Sequence, residues 1–314
     1  MQIAGQGVTQ AVDTEYMRVP IRGLTGLNPI GFPVYLEGSG GNPPVLYVQE
    51  GASFDLGREK TLVDGGVEAV LIPRKNRAKY LDRIENHLEA LSKDPTLPLE
   101  SRVTVLYEAA VEATENLFRD PLNRVKVHRC ERMVRTQASV ILREPEGFLA
   151  IRKVMGAGSS LTLHSVSVSA LATAAAARLF PDSVSKVSLV GTAGLLHDIG
   201  RVGFDEEVGG MESSAHCLRG ERILQELGLP DEVVQAAALH HERLDGSGFP
   251  NGFKGEQLDP VTQIVAMADC FDGIRVEHEG RIGVFDCFQI MVKTYRGCFD
   301  ERHFRAFLKA FGSR

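Results

Sequence analysis

The stretch from Ala238 to Gly252 reads ALHHERLDGSGFPNG. Two adjacent histidines, His240 and His241, end an apolar run with helical spacing, and Asp245 follows at the start of a glycine-rich turn. Burying a polar side chain without a partner costs free energy, so apolar helices are poor hosts for unpaired histidine or aspartate. The stretch therefore predicts either a hydrogen-bonded cluster or a site where several such side chains bind a cation.

The same mixture of apolar and ionisable residues recurs along the chain. LLHDIG and AMADCF each place an aspartate inside an apolar run, and further histidines lie on predicted helices. The candidate metal ligands are His164, His197, Asp198, His216, His240, His241 and Asp269. Imidazoles with carboxylates suit iron, manganese or zinc better than calcium or magnesium. Adjacent helical residues diverge by about 100°, so each neighbouring pair can face two ions, and the pattern predicts a two-metal site.

Each signal has a simpler explanation when it stands alone. A single HD dipeptide is common, a lone histidine on an apolar helix is usually a hydrogen-bonded core residue, and DGSGFPNG is also typical of a helix-terminating loop. Cys217 and Cys270 each follow a candidate ligand, and helical geometry predicts that their thiols point away from it into the core. GSGG at 38–41 lacks the lysine and the helix of a phosphate-binding loop, so we expect a hairpin turn.

Two patterns of secondary structure divide the chain. The first ninety or so residues carry short β-branched and aromatic runs that predict strands and hairpins. A buried strand at Ala69–Ile72 and an amphipathic helix beginning near Lys75 follow. The proline-punctuated segment Ser92–Glu100 predicts a domain boundary. Beyond it, apolar residues recur at helical spacing, with Asp231 and Asp259 at expected helix caps.

Composition restricts the class of protein. The chain has 314 residues, of which 43% are hydrophobic and 24% charged, as in ordinary globular proteins. A net charge of −6 argues against generic binding of DNA or other nucleic acids. The first residues lack a secretion signal, and no apolar run approaches the ~18 residues of a membrane span. The five cysteines include no C-x-x-C pair, so we expect reduced thiols in a cytoplasmic protein without membrane insertion.

Taken together, the motifs resemble those of the HD-GYP phosphodiesterases, a branch of the HD hydrolases that cleave the bacterial second messenger cyclic di-GMP. The similarity is carried by HDIGR, HCLRGERIL, HHERLDGSGFP and IVAMADCFDGI, with His164 upstream on a helix. It implies an α+β N-terminal domain followed by an all-α HD-GYP helical domain. We expect an accessory domain at 1–92, a helical linker that starts the helical domain at 93–146, and the metal-binding domain at 147–314.

The resemblance implies a specific ligand set. One ion would take His164, His197, Asp198 and Asp269, and the other would take Asp198, His216, His240 and His241, with Asp198 bridging. Two divalent ions are expected, iron being favoured and manganese and zinc being alternatives. A water bound to such an ion loses its proton more easily, its pKa falling from ~16 toward ~7, and becomes the nucleophile. The two ions would leave the site positive and so attract a phosphodiester to an acidic protein.

Roles for the surrounding residues also follow from the resemblance. Arg201 matches the family's lysine after the HD motif and would bind phosphate or steady the leaving group. Asp245 would orient a ligand imidazole, so the predicted catalytic residues are Asp198, Arg201 and Asp245. The predicted substrate-binding residues are Arg201, Arg275, Arg281 and Phe249.

Four features depart from the family pattern. Phe249 replaces the tyrosine that names the family, and Ser160 stands where members with a third metal have glutamate. The segment between His197 and His216 is short. IRVEHEGRI replaces the arginine-rich substrate loop that follows the AD-x-F-D-A motif, for which Arg275 or Arg281 would partly compensate.

Two functions therefore remain open. The first is a metal-dependent phosphodiesterase that hydrolyses cyclic di-GMP or a related nucleotide, with activity reduced or lost in this divergent member. The alternative is a degenerate signalling module that binds metal, with or without nucleotide, and acts through contacts with a signalling protein. The complete ligand set favours the enzyme, whereas Phe249 and the altered loop favour the module.

Overall fold

The computed structural model describes residues 15–312, except 22–23, 25–28, 39–41, 68, 96, 145, 156–159 and 204–213. The first residues, most of the GSGG turn and much of the segment between His197 and His216 therefore lie outside the described residues. The chain divides into two compact units, Met1–Val105 and Leu106–Arg314. The boundaries expected at 92 and 146 stay predictions.

The first unit contains an antiparallel sheet with the strand order β1-β4-β2-β3. Its strands are β1 (Tyr16–Pro20), β2 (Val34–Leu36), β3 (Val45–Val48) and β4 (Ala69–Pro73), and its helices include α1 (Leu56–Asp64) and α2 (Arg77–Lys93). The predicted strand at Ala69–Ile72 is confirmed as β4, whose Val70, Leu71 and Ile72 are buried. β2 and β3 pair as a hairpin requires, and the helix expected near Lys75 begins after a short 3-10 turn.

Helices make up the regular structure described after the sheet. They are α3 (Leu99–Phe118), α4 (Arg124–Arg143), α5 (Gly147–Val154), α6 (Leu161–Leu179), α7 (Val184–Leu196), α8 (Ala215–Glu226), α9 (Asp231–Leu239), α10 (Pro260–Glu277), α11 (Val284–Thr294) and α12 (Glu301–Ala310). A 3-10 turn, Ile199–Arg201, follows α7. None of the helices in the described ranges is both long and apolar enough to cross a bilayer.

Helix α6 lies at the centre of this helical unit. Residues 165–177 are buried on every side of the helix, as expected for a helix without a polar face. Small residues let α4, α7, α10 and α12 pack against it. A Cβ at Gly194 of α7 would lie 3.1 Å from the Ser169 Cα, so glycine permits this close approach. The packing places the start of α6 and the end of α7 next to the middle of α10.

The helix starts are set by local capping. Asp259 caps α10 as predicted, because its carboxylate accepts hydrogen bonds from the N–H groups of Val261 and Thr262. Ser160 caps α6 by accepting from the N–H of Leu163. The prediction that Asp231 is a cap is wrong by one position. Pro230 is the cap, and Asp231 begins the helix, where its negative charge still favours the helix dipole.

Candidate metal centre

All seven candidate ligands meet where several helices of the second unit end or begin. His164 lies in the first turn of α6, and His197 and Asp198 follow α7 directly. The other four come from α8, from the residues after α9 and from the middle of α10, and are His216, His240, His241 and Asp269. The side chains of His197 and His240 are completely buried. Residues far apart in the sequence thus form one buried polar cluster.

A first group of side chains surrounds the first turn of α6. The Nε2 atom of His164 lies 3.3 Å from the Nε2 atom of His197 and 3.2 Å from Oδ1 of Asp269. Oδ2 of Asp198 lies 3.7 Å from the same nitrogen of His197. His164, His197 and Asp269 form a group that could hold a metal ion, and so do His197, Asp198 and His240.

A second group lies on the other side of Asp198. Its Oδ1 atom is 3.4 Å from Nε2 of His216 and 3.5 Å from Nε2 of His240. The Nε2 atoms of His216 and His240 are 3.3 Å apart, and that of His241 lies 3.2 Å from that of His216. The two oxygens of one carboxylate therefore face two different groups of imidazoles.

Hydrogen bonds to carbonyl oxygens fix the tautomers of two of these rings. Nδ1 of His197 is 2.8 Å from the carbonyl oxygen of Gly194, and Nδ1 of His240 is 3.0 Å from that of Ala237. Carbonyl oxygens only accept hydrogen bonds, so each Nδ1 must carry the proton. Nδ1 of His164 makes the corresponding contact with Asp272. In the neutral rings the unprotonated Nε2 lone pairs then converge, an arrangement that is unfavourable unless a cation lies between them.

The spacing of these atoms fits metal ions. Two nitrogens bound to one tetrahedral ion at about 2.1 Å lie about 3.4 Å apart, close to the separations of 3.2 to 3.3 Å between the Nε2 atoms. Oδ1 of Asp198 is buried and has no hydrogen-bond partner among the described residues. A buried carboxylate oxygen without a donor is costly, and a bound cation would satisfy it.

The charges of the cluster also favour cations. Burial opposes ionisation of Asp198 and Asp269, but the surrounding histidines outweigh it and hold both pKa values well below the usual range. Burial likewise disfavours protonated His164, yet Asp269 and Asp272 raise its pKa to about 10. Burial and neighbouring His240 lower the pKa of His241 to about 2. The two carboxylates are thus held ionised and His241 neutral, the protonation states that metal binding requires, whereas His164 would release a proton when an ion binds.

Comparisons with known proteins agree with this geometry. The family model for the HD domain matches residues 162–274. A cyclic di-GMP phosphodiesterase of Pseudomonas aeruginosa, PA4108, is 30% identical over 226 residues, which cover 66% of this chain and 53% of that protein. The solved structure of Bd1817, an HDG"Y"P protein from Bdellovibrio bacteriovorus, covers 94% of this chain and 99% of its own, with a TM-score of 0.65 and 20% identity. Residues 162–274 thus match an HD domain, and the chain is similar to HD-GYP proteins.

A second relative is named for a different cyclic dinucleotide, 3'3'-cGAMP. The 3'3'-cGAMP-specific phosphodiesterase 3 of Vibrio cholerae is 32% identical over 130 residues, which cover 38% of this chain and 28% of the relative. The chain therefore spans only part of the length of either relative, about half in the case of PA4108. The structural likeness to Bd1817, at low identity, concerns the fold alone.

The HD turn of this chain, His197 to Arg201, is packed tightly against α8. A Cβ at Gly200 would lie 1.9 Å from the carbonyl oxygen of His216 and 2.7 Å from the amide nitrogen of Gly220. Only glycine allows this approach, which brings Asp198 beside His216. Arg201 ends the turn, with Nε 2.8 Å from Oδ2 of Asp198 and Nη2 3.5 Å from Nε2 of His216.

The glycine-rich loop after the twin histidines is held down by Glu242. This buried carboxylate accepts hydrogen bonds from the N–H groups of Asn251 (2.6 Å) and Phe253 (3.0 Å). A Cβ at Gly248 would lie 2.4 Å from the carbonyl oxygen of His241, so the loop backbone folds directly onto the HHER segment. The ring of Phe249 then stacks on His241 with ring centroids 4.5 Å apart. The sequence analysis assigned no role to Glu242, which anchors this wall of the site.

Asp272 is the carboxylate that contacts Nδ1 of a candidate ligand imidazole. Its Oδ2 atom lies 2.8 Å from Nδ1 of His164, and its Oδ1 atom accepts from Nη2 of Arg275 at 2.7 Å. This corrects the expectation for Asp245, whose exposed carboxylate accepts hydrogen bonds from the N–H and hydroxyl groups of Ser247. A carboxylate one turn after a ligand on α10 could have suggested Asp272.

Cys217 does not point away from the centre as expected. Its Sγ atom lies 3.4 Å from Nε2 of His216, and the thiol belongs to a possible metal-binding group with His216, His240 and His241. The divergence of about 100° between helical neighbours describes the Cα–Cβ bonds, and not the tip of a long imidazole ring. Burial raises the pKa of Cys217 to about 12.

A cavity of about 860 Å³ opens beside the centre. His164, Asp198, His241 and Asp269 contribute to its wall, together with Arg201 and Phe249 as expected and Asp245. Arg243 and Arg296 also line it, and Arg243 lies over the rings of Tyr295 and Phe299. The sequence analysis did not single out either arginine.

Two predicted substrate-binding arginines lie elsewhere. Arg275 is engaged by Asp272 and by the hydroxyl group of Ser167, and Arg281 is an exposed side chain paired with Glu279. Neither is among the described residues that line the cavity. The expectation that one of them replaces the family's arginine-rich loop is therefore not supported by their positions.

Proposed function

We propose that this chain is a metal-dependent phosphodiesterase that hydrolyses cyclic di-GMP or a related nucleotide phosphodiester. The observation that carries the proposal is Asp198, whose two buried oxygens face two separate groups of imidazoles. The names of the relatives, which act on cyclic di-GMP and 3'3'-cGAMP, support the substrate class. The cavity volume falls in the range of small-molecule sites.

The proposed cofactor is a pair of divalent ions, iron being favoured and manganese and zinc being alternatives. His164, His197 and Asp269 would hold one, and His216, His240 and His241 would hold the other, with Asp198 between them. Such ions supply a water of lowered pKa and positive charge for the phosphoryl oxygens. The mixed nitrogen and oxygen donors support a transition metal over calcium or magnesium.

The chain's own groups would position the substrate around this centre. Arg201 lies at the boundary between the centre and the cavity, where its guanidinium can donate to a phosphate oxygen or to the leaving oxygen. Phe249 stacks on His241 and offers an apolar face instead of a hydroxyl donor. Asp272 and the carbonyl groups of α7 and α9 hold three imidazoles with Nε2 toward the centre.

Hydrolysis by the metal-loaded protein tests this function. Protein reconstituted anaerobically with iron, and in parallel with manganese or zinc, would be incubated with cyclic di-GMP and 3'3'-cGAMP. We expect linear dinucleotide as the product, and none from Asp198→Ala treated in the same way. Retained nucleotide binding without turnover would instead select the alternative function, a module that binds and signals through a partner protein.

The cellular setting is part of the same proposal. The five cysteines are all free thiols, which supports a reducing compartment and hence the cytoplasm. A signalling protein is the partner that the family resemblance suggests.

A further inference from the structure

Gly273 occupies an unusual position in α10. It lies inside the helix and faces the cavity, and a Cβ added there would meet no atom within 4 Å. Gly191 of α7, by contrast, has a steric reason, since a Cβ there would lie 2.2 Å from the hydroxyl oxygen of Thr173. Glycine also weakens a helix interior relative to alanine. No described protein atom therefore explains the glycine, which leaves open space on the cavity wall.

This space continues outward from the metal centre along one face of α10. Asp269, Gly273 and Glu277 follow one another at intervals of four residues, so they lie on the same side of the helix. With a rise of 1.5 Å per residue, Gly273 is about 6 Å and Glu277 about 12 Å from Asp269 along the axis. Leu161 and Ile274 line the same cavity and provide apolar surface.

We propose that this face of α10 is a nucleobase subsite, an inference that rests on the proposed function. The bare backbone at Gly273 makes room for the flat base beside Leu161 and Ile274. Glu277 is an exposed carboxylate on the cavity wall, and it accepts hydrogen bonds from the N–H groups along the edge of the base. Carboxylates only accept, and their two oxygens match two adjacent donors.

The chemistry of the two purines distinguishes them at such a subsite. Guanine presents an imino N–H and an amino group side by side, so both oxygens of Glu277 find a donor. Adenine presents an amino group beside a ring nitrogen that is itself an acceptor, which would oppose one carboxylate oxygen. The subsite therefore favours guanine, and a dinucleotide with guanine should bind more tightly than one with adenine alone.

The test compares Gly273→Ala, Gly273→Leu and Glu277→Gln in the metal-loaded protein. Calorimetry would measure the Kd, and steady-state kinetics the KM, for cyclic di-GMP and cyclic di-AMP. Hydrolysis of bis(p-nitrophenyl) phosphate, which has no nucleobase, would report the activity of the metal centre alone. Glu279→Gln is the matched control, because it removes the same charge two residues further on, outside the cavity. Thermal unfolding would measure the structural effect of each change.

We expect Gly273→Leu to raise the Kd and KM for cyclic di-GMP about tenfold or more, because the side chain fills the subsite. Glu277→Gln should weaken cyclic di-GMP binding about tenfold and reduce the preference over cyclic di-AMP. Hydrolysis of bis(p-nitrophenyl) phosphate and all properties of Glu279→Gln should stay unchanged. Gly273→Ala should raise the Tm by about 2–4 °C, because no packing opposes the better helix former.

The outcomes separate this inference from the proposed function. If the unaltered protein hydrolyses cyclic di-GMP and the variants do so equally well, the subsite is refuted and the activity stands. If the unaltered protein binds without hydrolysis and Gly273→Leu abolishes binding, the subsite stands and the hydrolase proposal fails. Absence of both binding and hydrolysis overturns both. A Tm lowered by Gly273→Ala would show that the glycine has a structural role instead.

Discussion

The carboxylate of Asp272 joins His164 of the candidate metal centre to the guanidinium of Arg275. Its oxygens lie 2.8 Å from Nδ1 of His164 and 2.7 Å from Nη2 of Arg275. It is completely buried. One contact orients the imidazole so that Nε2 faces Asp269, and the other compensates the buried charge. Arg275 thus lies behind the candidate centre, where Asp272 engages its guanidinium, and does not line the cavity.

The first prediction concerns this link. Asp272→Asn should lower metal affinity about 10- to 100-fold, as is usual when a residue that orients a ligand imidazole is changed. Metal titration of the chelator-treated protein measures the change. Asp245→Asn is the control, since Asp245 contacts Ser247 instead of a ligand, and its affinity should equal that of the unaltered protein. Equal metal affinities for all three proteins would show that Asp272 does not contribute to metal binding.

A second prediction follows from the position of Asp198 between the two groups. Asp198→Ala should lose most of the bound metal, because the side chain removed offers one oxygen to each group. Elemental analysis of protein purified without oxygen gives the stoichiometry. Asp182→Ala, at an exposed position, should keep the full amount. A variant at position 198 that retains two ions would refute the bridging arrangement.

The third prediction tests whether Phe249 takes part in metal binding. Phe249→Tyr should leave the metal content unchanged, because the ring stacks on His241 and contributes no ligand atom. The same elemental analysis tests this, and circular dichroism checks that the fold is kept. A fall in metal content would mean that the placement of the glycine-rich loop is wrong.

A pair of glycine substitutions should change stability in opposite directions. Gly200→Ala should destabilise the protein by about 1–3 kcal/mol, because the new methyl group collides with the carbonyl of His216. Gly273→Ala should stabilise it by up to about 1 kcal/mol, because nothing obstructs the methyl group. Urea unfolding of both variants measures the difference. Equal effects would contradict the packing described for the HD turn.

The sequence identified the cluster because ionisable residues inside apolar helices are costly and therefore conspicuous. That argument applies to Asp198 and to His240, which are both buried. It did not identify Asp272, since an aspartate three residues before Arg275 also suits an ordinary helical ion pair. Its decisive partner, His164, is 108 residues away, and such a contact depends on tertiary packing.

Periodicity predicted the fold well where one pattern dominated. β4 and the cap of α10 were located from local signals. The direction of the Cys217 thiol was not, because side-chain tips obey packing as well as helical angles. Arg275 and Arg281 lie away from the cavity wall for a similar reason, since a position in the sequence does not show whether a carboxylate such as Asp272 already engages a guanidinium.

Two of the imidazoles also terminate helices. The carbonyl groups of Gly194 and Ala237 lie in the last turns of α7 and α9, where backbone acceptors lack partners within the helix, and the Nδ1–H groups of His197 and His240 satisfy them. Replacing either histidine by alanine would therefore fray a helix end as well as remove a ligand. Amide hydrogen exchange should show faster exchange in these last turns, so alanine scanning would overstate the contribution of either histidine to metal affinity.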